Sequence, residues 1–324
     1  MFTYALLFSL ILSSILSVVT VRYVADMLYS GNTRAILSII LRQQFNHTHF
    51  RKMCCGVFLM FSGISMIYQI LSILFFVTLL VVWMEMNFLD CSGDYQNVMI
   101  TFAAALIFML CSGYVLIQYT NLGAIVSLLL TAWAAYGLMA VRYFSLLLRY
   151  FPKGKGSSLR FLKWIEKYPR LLFIGLLIYM GLFGHLIIMW NSPLGIPVQG
   201  FFIGVPAYDV SALIAIGSIL ISTITFVTAT ETKFQPLYRK YFSLLNGKGN
   251  ILDIETTEQK MIQTLDEEMG YLIVKQVIMT ILFISIGTIL LPRTALGFTS
   301  DMLGIYRMLC VGYVSFTRSA TAFS

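Results

Sequence analysis

Charge is missing from long stretches of this chain: none falls between Tyr4 and Val21, between Val98 and Gln118, or between Leu171 and Leu182. A run of roughly 18 or more uncharged, mostly apolar residues is long enough to cross the hydrocarbon of a bilayer as a helix. Several such runs exclude a single anchor. With 59% hydrophobic and 11% charged residues and a mean hydropathy of +0.84, the chain has too few polar groups to cover a soluble surface. The expected fold class is all-α, a polytopic membrane helical bundle.

A net charge of +8 would point to nucleic acid in a soluble protein. Here the basic residues sit in short loops between apolar runs, where membrane orientation explains them. Cys54, Cys55, Cys91, Cys111 and Cys310 are irregularly spaced and mostly within apolar segments, so they read as small hydrophobes and not as a disulfide framework. The start, Met1-Phe2-Thr3-Tyr4, is uncharged and leads straight into a full span, unlike a cleavable signal peptide.

The first span, about 4–21, ends at Arg22, and the stretch to Lys52 holds Arg22, Arg34, Arg42, Arg51 and Lys52 against Asp26 alone. That loop is expected to be cytoplasmic, with Ala35, Ile36, Ile39, Ile40 and Phe50 on a short surface helix. The apolar stretch from Met53 to Leu89 would be about 55 Å as helix, nearly twice the roughly 30 Å hydrocarbon core. A tight hairpin near Gln69–Ser72, giving spans 53–70 and 72–89, keeps every basic loop on one side of the membrane. Further spans are expected at 98–118, 122–148, 171–190, 211–230 and 270–291, with a last one at 302–316. That is about eight full transmembrane helices plus a partial ninth. The expected external segments hold only Arg293 as a basic residue, whereas 149–170 holds Arg149, Lys153, Lys155, Arg160, Lys163, Lys167 and Arg170. The last span closes after about 14 residues, too short to cross, and the N-terminus lies outside with no charge to direct it; both ends therefore read as truncated.

Three loop patterns carry a family resemblance. Thr20-Val21-Arg22-Tyr23-Val24-Ala25-Asp26-Met27-Leu28-Tyr29 follows the first span. Trp83-Met84-Glu85-Met86-Asn87-Phe88-Leu89, with Tyr95 beyond it, ends another. Most specific is Thr230-Glu231-Thr232-Lys233-Phe234 followed by Tyr238-Arg239-Lys240-Tyr241-Phe242, then Gly247, Gly249, Ile254-Glu255 and Met261. These resemble the PelG-type membrane subunit of the Pel exopolysaccharide transporters, within the multidrug/oligosaccharidyl-lipid/polysaccharide flippase superfamily. Where the family pattern has an acidic-basic pair inside the span ending at Trp190, this chain has His185-Leu186. The resemblance implies a flippase-like pair of six-helix lobes facing a central cavity. Residues 1–148 would form the first lobe and 171–324 a partial second lobe with a cytoplasmic segment at 231–269. The basic stretch 149–170, with Pro152, Gly154, Gly156 and Pro169, is a natural linker between them.

A charge at the bilayer centre costs roughly 2.5 to 3.5 kcal/mol on insertion scales, so each one inside a span asks for a reason. Arg142 either snorkels to the interface or lines a polar cavity. His185 either bonds a neighbouring helix or serves a cavity or proton-coupled role. Glu85 reads as an interfacial carboxylate by default. Glu231 and Lys233 are spaced to pair with Arg239 or Arg22, which precedes Asp26, and such pairs would latch one state of an alternating-access cycle; the plain alternative is ordinary interfacial charge.

His47-Thr48-His49 with Cys54-Cys55 matches no zinc spacing, so no metal is expected. Asn46-His47-Thr48 is a sequon on the wrong side of the membrane. The loops Lys153–Ser158 and Asn246–Asn250 lack the phosphate-loop spacing, so no cofactor is expected. No nucleophile elbow or apposed carboxylates appear, with Asp209 nearly alone on the outer face, so an enzyme is not expected. Gly181, Gly184, Pro193, Gly195, Pro197 and Pro206 are available to break helices there.

The function expected is export of an exopolysaccharide or lipid-linked glycan across a bacterial inner membrane. The resemblance implies a cytoplasmic glycosyltransferase and further export subunits as partners, with no nucleic acid. A membrane scaffold for the synthase, or a small-molecule exporter of the same superfamily, are the alternatives.

Overall fold

The computed structural model describes residues 1–29, 56, 59, 61–90, 94–151, 166–219, 226, 228–247, 249–293 and 297–322. Among these it has nine α-helices: α1 (Phe2–Tyr29), α2 (Met66–Asp90), α3 (Tyr95–Tyr119), α4 (Ala124–Tyr150), α5 (Pro169–Trp190), α6 (Pro206–Ala215), α7 (Gln235–Asn246), α8 (Ile251–Leu290) and α9 (Ser300–Ala322). A two-stranded hairpin, β1 (Ile196–Gln199) and β2 (Phe202–Gly204), follows α5, and a π-helical turn (Thr230–Phe234) precedes α7. Six helical stretches are long and apolar enough to cross a bilayer: Phe2–Leu28, Met66–Leu89, Gln96–Tyr119, Ala124–Tyr150, Pro169–Trp190 and Ile251–Arg293. The chain is a multi-pass membrane protein.

The described residues divide into two compact units, one of Met1–His185 with Pro197–Ile203, the other of Leu186–Ile196 with Gly204–Ser324. In the first, α2 packs against α1 and α4, and α4 against α3. Its core runs through Phe75, Leu79, Val82, Leu129, Ala132 and Tyr143. Phe75 stacks on Phe2 at 5.1 Å and meets the edge of Tyr136 at 5.8 Å. Only 11% of the apolar window of α3 is buried, and Ile107, Leu110 and Tyr114 face outward. A helix apolar on all sides with so little of it buried has lipid as its solvent. In the second unit α9 packs against α6 and α8, and α7 and the π turn lie along α8.

Several expectations need correction. The break in the Met53–Leu89 stretch lies at 61–65 and not at Gln69–Ser72, which are helical. Gly63 supplies the left-handed φ of +71° that a turn there requires. Gln69, taken for a turn residue, sits in the first turn of α2 and donates its amide to the Ile64 carbonyl at 3.0 Å. The first limb of that hairpin, the surface helix at 35–50 and most of the basic stretch 149–170 lie outside the described residues. The helix placed at 211–230 begins at Pro206, with proline in the first turn where its missing N–H costs nothing, and residues 220–225 are outside the description. The latter half of segment 231–269 and the span 270–291 are not separate, since α8 runs unbroken from Ile251 to Leu290, about 60 Å at 1.5 Å per residue. The last helix does not close at Phe316 but continues to Ala322. α5 passes unbroken through Gly181 and Gly184.

Candidate functional site

Polar side chains inside the spans carry the candidate chemistry. In the first unit they lie on α1 and α2, with Ser127 and Thr131 buried on α4. Ser9, Ser13, Ser14 and Thr20 are buried along α1. Ser9, Ser13 and Ser14 each donate to a carbonyl three residues back at 2.7–3.0 Å, which satisfies the hydroxyls in a medium without water. Ser9 also accepts a 3.0 Å hydrogen bond from Trp83 Nε1 of α2. Two residues further along α2, Glu85 is only 2% exposed. It is a buried carboxylate about one turn from the Leu89 end of the span, on the α2 face that packs inward with Phe75, Leu79, Val82 and Leu89.

Close approach of helices supports this set. A β-carbon at Gly175 of α5 would stand 2.2 Å from the Ser14 carbonyl oxygen, so only glycine lets α5 cross α1 there. Small residues at such crossings are the ordinary means of helix association in lipid.

The second unit holds a polar stripe on α8. Glu268, Leu272, Gln276 and Thr280 recur every four residues and are buried, hence on one face of the helix. Gln276 is 1% exposed; its amide N–H reaches the Ser218 carbonyl at 3.4 Å and Thr280 Oγ1 at 3.3 Å. Tyr306 of α9 donates to the Phe283 carbonyl at 2.6 Å, and Cys310 lies within hydrogen-bonding reach of Tyr306 and Ser218. Glu268 pairs with Lys233 of the π turn. The neighbouring carboxylate holds the Lys233 ammonium above its ordinary range. Outside the spans, Asp209 accepts from Trp190 Nε1 at 2.9 Å and from the Val205 amide at 3.2 Å, yet partial burial raises its carboxyl above the usual value.

The sequence-derived candidates are therefore distributed and not gathered. Arg142 is exposed on α4. His185 is partly buried near the end of α5 and bonds the Leu182 backbone of its own helix. Arg22 pairs with Asp26 one turn along α1 at 3.4 Å. Arg239 is exposed on α7, and Glu231 belongs to the π turn with its side chain outside the description. The carboxylate that Lys233 meets is Glu268, which the sequence reading passed over; Gln276 was missed as well. The signal was present as polar residues at four-residue spacing leading into an apolar run.

Among the described residues no group of three or more His, Cys, Asp or Glu is placed to hold a metal ion. His47, His49, Cys54 and Cys55, the Asn46 sequon and the Lys153–Ser158 loop lie outside the described residues. The Asn246–Asn250 loop joins the end of α7 to the start of α8.

Comparison with known proteins gives one family. A family model described as "PelG: Putative exopolysaccharide Exporter (EPS-E)" matches residues 1–320. No curated protein and no solved structure matches the chain.

Proposed function

Because this chain belongs to the PelG family of exopolysaccharide exporters, we propose that it carries a Pel-like polysaccharide, or a lipid-linked glycan, across the bacterial inner membrane by alternating access. The observation that carries the reading is Glu85, a carboxylate buried within a membrane-spanning helix. An ionisable group in that position is expensive and marks a substrate, ion or gating role by default. Helical bundles rocking around a polar path would move the glycan without ATP hydrolysis by this chain, and the family is one of transporters, not enzymes. Arg142 and His185 are the further candidates for the cavity, and Lys233 with Glu268 for the latch. A cytoplasmic glycosyltransferase would supply the polymer and an outer export machine would receive it.

The test is secreted polysaccharide measured in cells expressing Glu85→Gln at equal membrane abundance. Export should fall while insertion is unchanged. If Glu85→Gln exports normally and neutralising Arg160 and Lys163 abolishes export, the chain is instead a scaffold that recruits the synthase. Loss of drug tolerance with polysaccharide export intact would identify a small-molecule exporter.

A further inference from the structure

The stretch from Leu171 to Tyr208 contains no Asp, Glu, Lys or Arg. Its hairpin is exposed along the whole of β1, with Val198 63% and Phe201 60% exposed. Apolar side chains standing outward on a short, open-edged hairpin need a cover. In water they are a liability, and in the hydrocarbon centre the unpaired strand edges would be. The headgroup level of a bilayer suits both, since it hydrates the backbone and buries the side chains.

The hairpin tip is fixed rigidly to the first unit. Tyr4 Oη donates to the Ile203 carbonyl at 2.7 Å and accepts from the Ile203 amide at 3.2 Å. The Tyr4 ring meets the edge of Phe202 at 5.0 Å, and Phe202 is buried with Leu59 and Ile64. The Phe201 amide donates to the Ser62 carbonyl at 3.2 Å. Gly200 has φ +58°, and a β-carbon there would stand 1.7 Å from that same Ser62 oxygen. Beside this joint Phe61 is 73% and Met66 75% exposed.

Position along the membrane normal follows from α2. Met66–Leu89 is 24 residues, about 36 Å as helix against a hydrocarbon core of about 30 Å, so Met66 stands at one boundary of the bilayer. The outward residues Met66, Ile67, Ile70 and Leu74 form a stripe on one side of α2. Phe61 and Phe201 are exposed just beyond the start of the helix. With no charge on the hairpin to select an oppositely charged partner, a phospholipid surface fits it best.

We propose that residues 197–203 together with Phe61 form an interfacial anchor, seated in the headgroup region of the bilayer at the Met66 end of α2 and held in register by Tyr4. The anchor fixes the depth of α1 and α2 whatever substrate the protein carries.

The experiment uses the full chain without its native cysteines, reconstituted in phosphatidylcholine–phosphatidylglycerol vesicles, with an environment-sensitive fluorophore on Val198→Cys or, separately, Phe201→Cys. A doxyl quencher attached near the lipid headgroup should quench the label about threefold more than one near the chain end, with aqueous iodide having little access. Tyr4→Phe should raise iodide access at both positions, because the joint to Ile203 is lost. Iodide quenching like that of free label, or stronger quenching from the chain end than from the headgroup, would overturn the proposal. The first result would show the hairpin facing water or a soluble partner, the second a hairpin buried in hydrocarbon.

Discussion

Trp83 Nε1 donates to Ser9 Oγ at 3.0 Å, and this bond sets the register of α2 against α1. Ser9 is fully buried, and its own hydroxyl proton goes to the Leu6 carbonyl at 2.9 Å. Removing either partner leaves the other without its cross-helix bond in a medium that offers no water. Interhelical hydrogen bonds in membranes are worth about 0.6 kcal/mol on average and up to about 1.7. Ser9→Ala and Trp83→Phe combined in a double-mutant cycle should give a coupling of about 1 kcal/mol, read from unfolding in mixed micelles. A coupling indistinguishable from zero would show the register to rest on packing alone.

Gly175 faces a backbone atom and not a side chain. Since the obstruction is the Ser14 carbonyl oxygen, Gly175→Ala must push α5 away from α1, costing on the order of 3 kcal/mol as other overpacked positions do. Ser14→Ala should not rescue it. Thermal unfolding of the two single variants and the double variant in detergent checks this, and recovery in the double variant would mean that the helices meet elsewhere.

The Lys233–Glu268 pair predicts a specific pH dependence. Glu268 is the more buried partner, and its carboxylate raises the Lys233 pKa above the ordinary 10.5. A group with a raised folded-state pKa contributes stability that is complete below its unfolded value and lost as pH rises through the folded one. The melting temperature of the wild type should therefore fall on alkaline titration above about 10.5, and Lys233→Met should flatten that part of the profile. Lys233→Met alone should unfold at lower temperature than Lys233→Met with Glu268→Gln, because the single change strands a buried carboxylate.

Much of the architecture is legible from charge and hydropathy, because lipid imposes one rule on every span. The runs at Tyr4, Val98 and Leu171 all became membrane-length helices. The rule fails where a boundary depends on local geometry. Gly63 and Gln69 are both weak sequence signals, and only the φ of Gly63 and the Gln69 bond to Ile64 decide which side of the turn each occupies. It fails again along α8, where Asp253, Glu255 and Glu258 look like a loop to a hydropathy argument although they lie in the opening turns of the helix that enters the membrane. Ion-pair partners were least legible. Lys233 and Glu268 are far apart in sequence, and helix packing alone brings them together.

Asp94 offers an acid-side counterpart. It begins α3, accepting from Asn97 Nδ2 at 2.7 Å and from the hydroxyl of Tyr150 at the end of α4. The Tyr150 hydroxyl, and then Asn97, hold its carboxyl below the ordinary 3.8. A lowered folded-state pKa means stability present above the unfolded value and lost as pH falls through the folded one. Asp94→Ala should cost about 1 kcal/mol at neutral pH, as lost N-caps do. It should also reduce the acid-side drop in melting temperature expected of the wild type below about pH 4. A profile unchanged in Asp94→Ala would assign that drop to other carboxylates.

Gln276 separates a structural from a functional use of the polar stripe on α8. Its amide N–H bonds are long, 3.4 Å to Ser218 and 3.3 Å to Thr280, while its side-chain oxygen is buried and meets no donor among the described residues. Replacing such a group by an apolar one of similar volume removes two weak bonds together with a desolvation cost of about 1–3 kcal/mol. Gln276→Leu should therefore leave stability within about 1 kcal/mol of the wild type or raise it. If export is retained along with that stability, the amide is a relic of packing. If the stable variant no longer exports, the residue is kept for a contact that forms during transport.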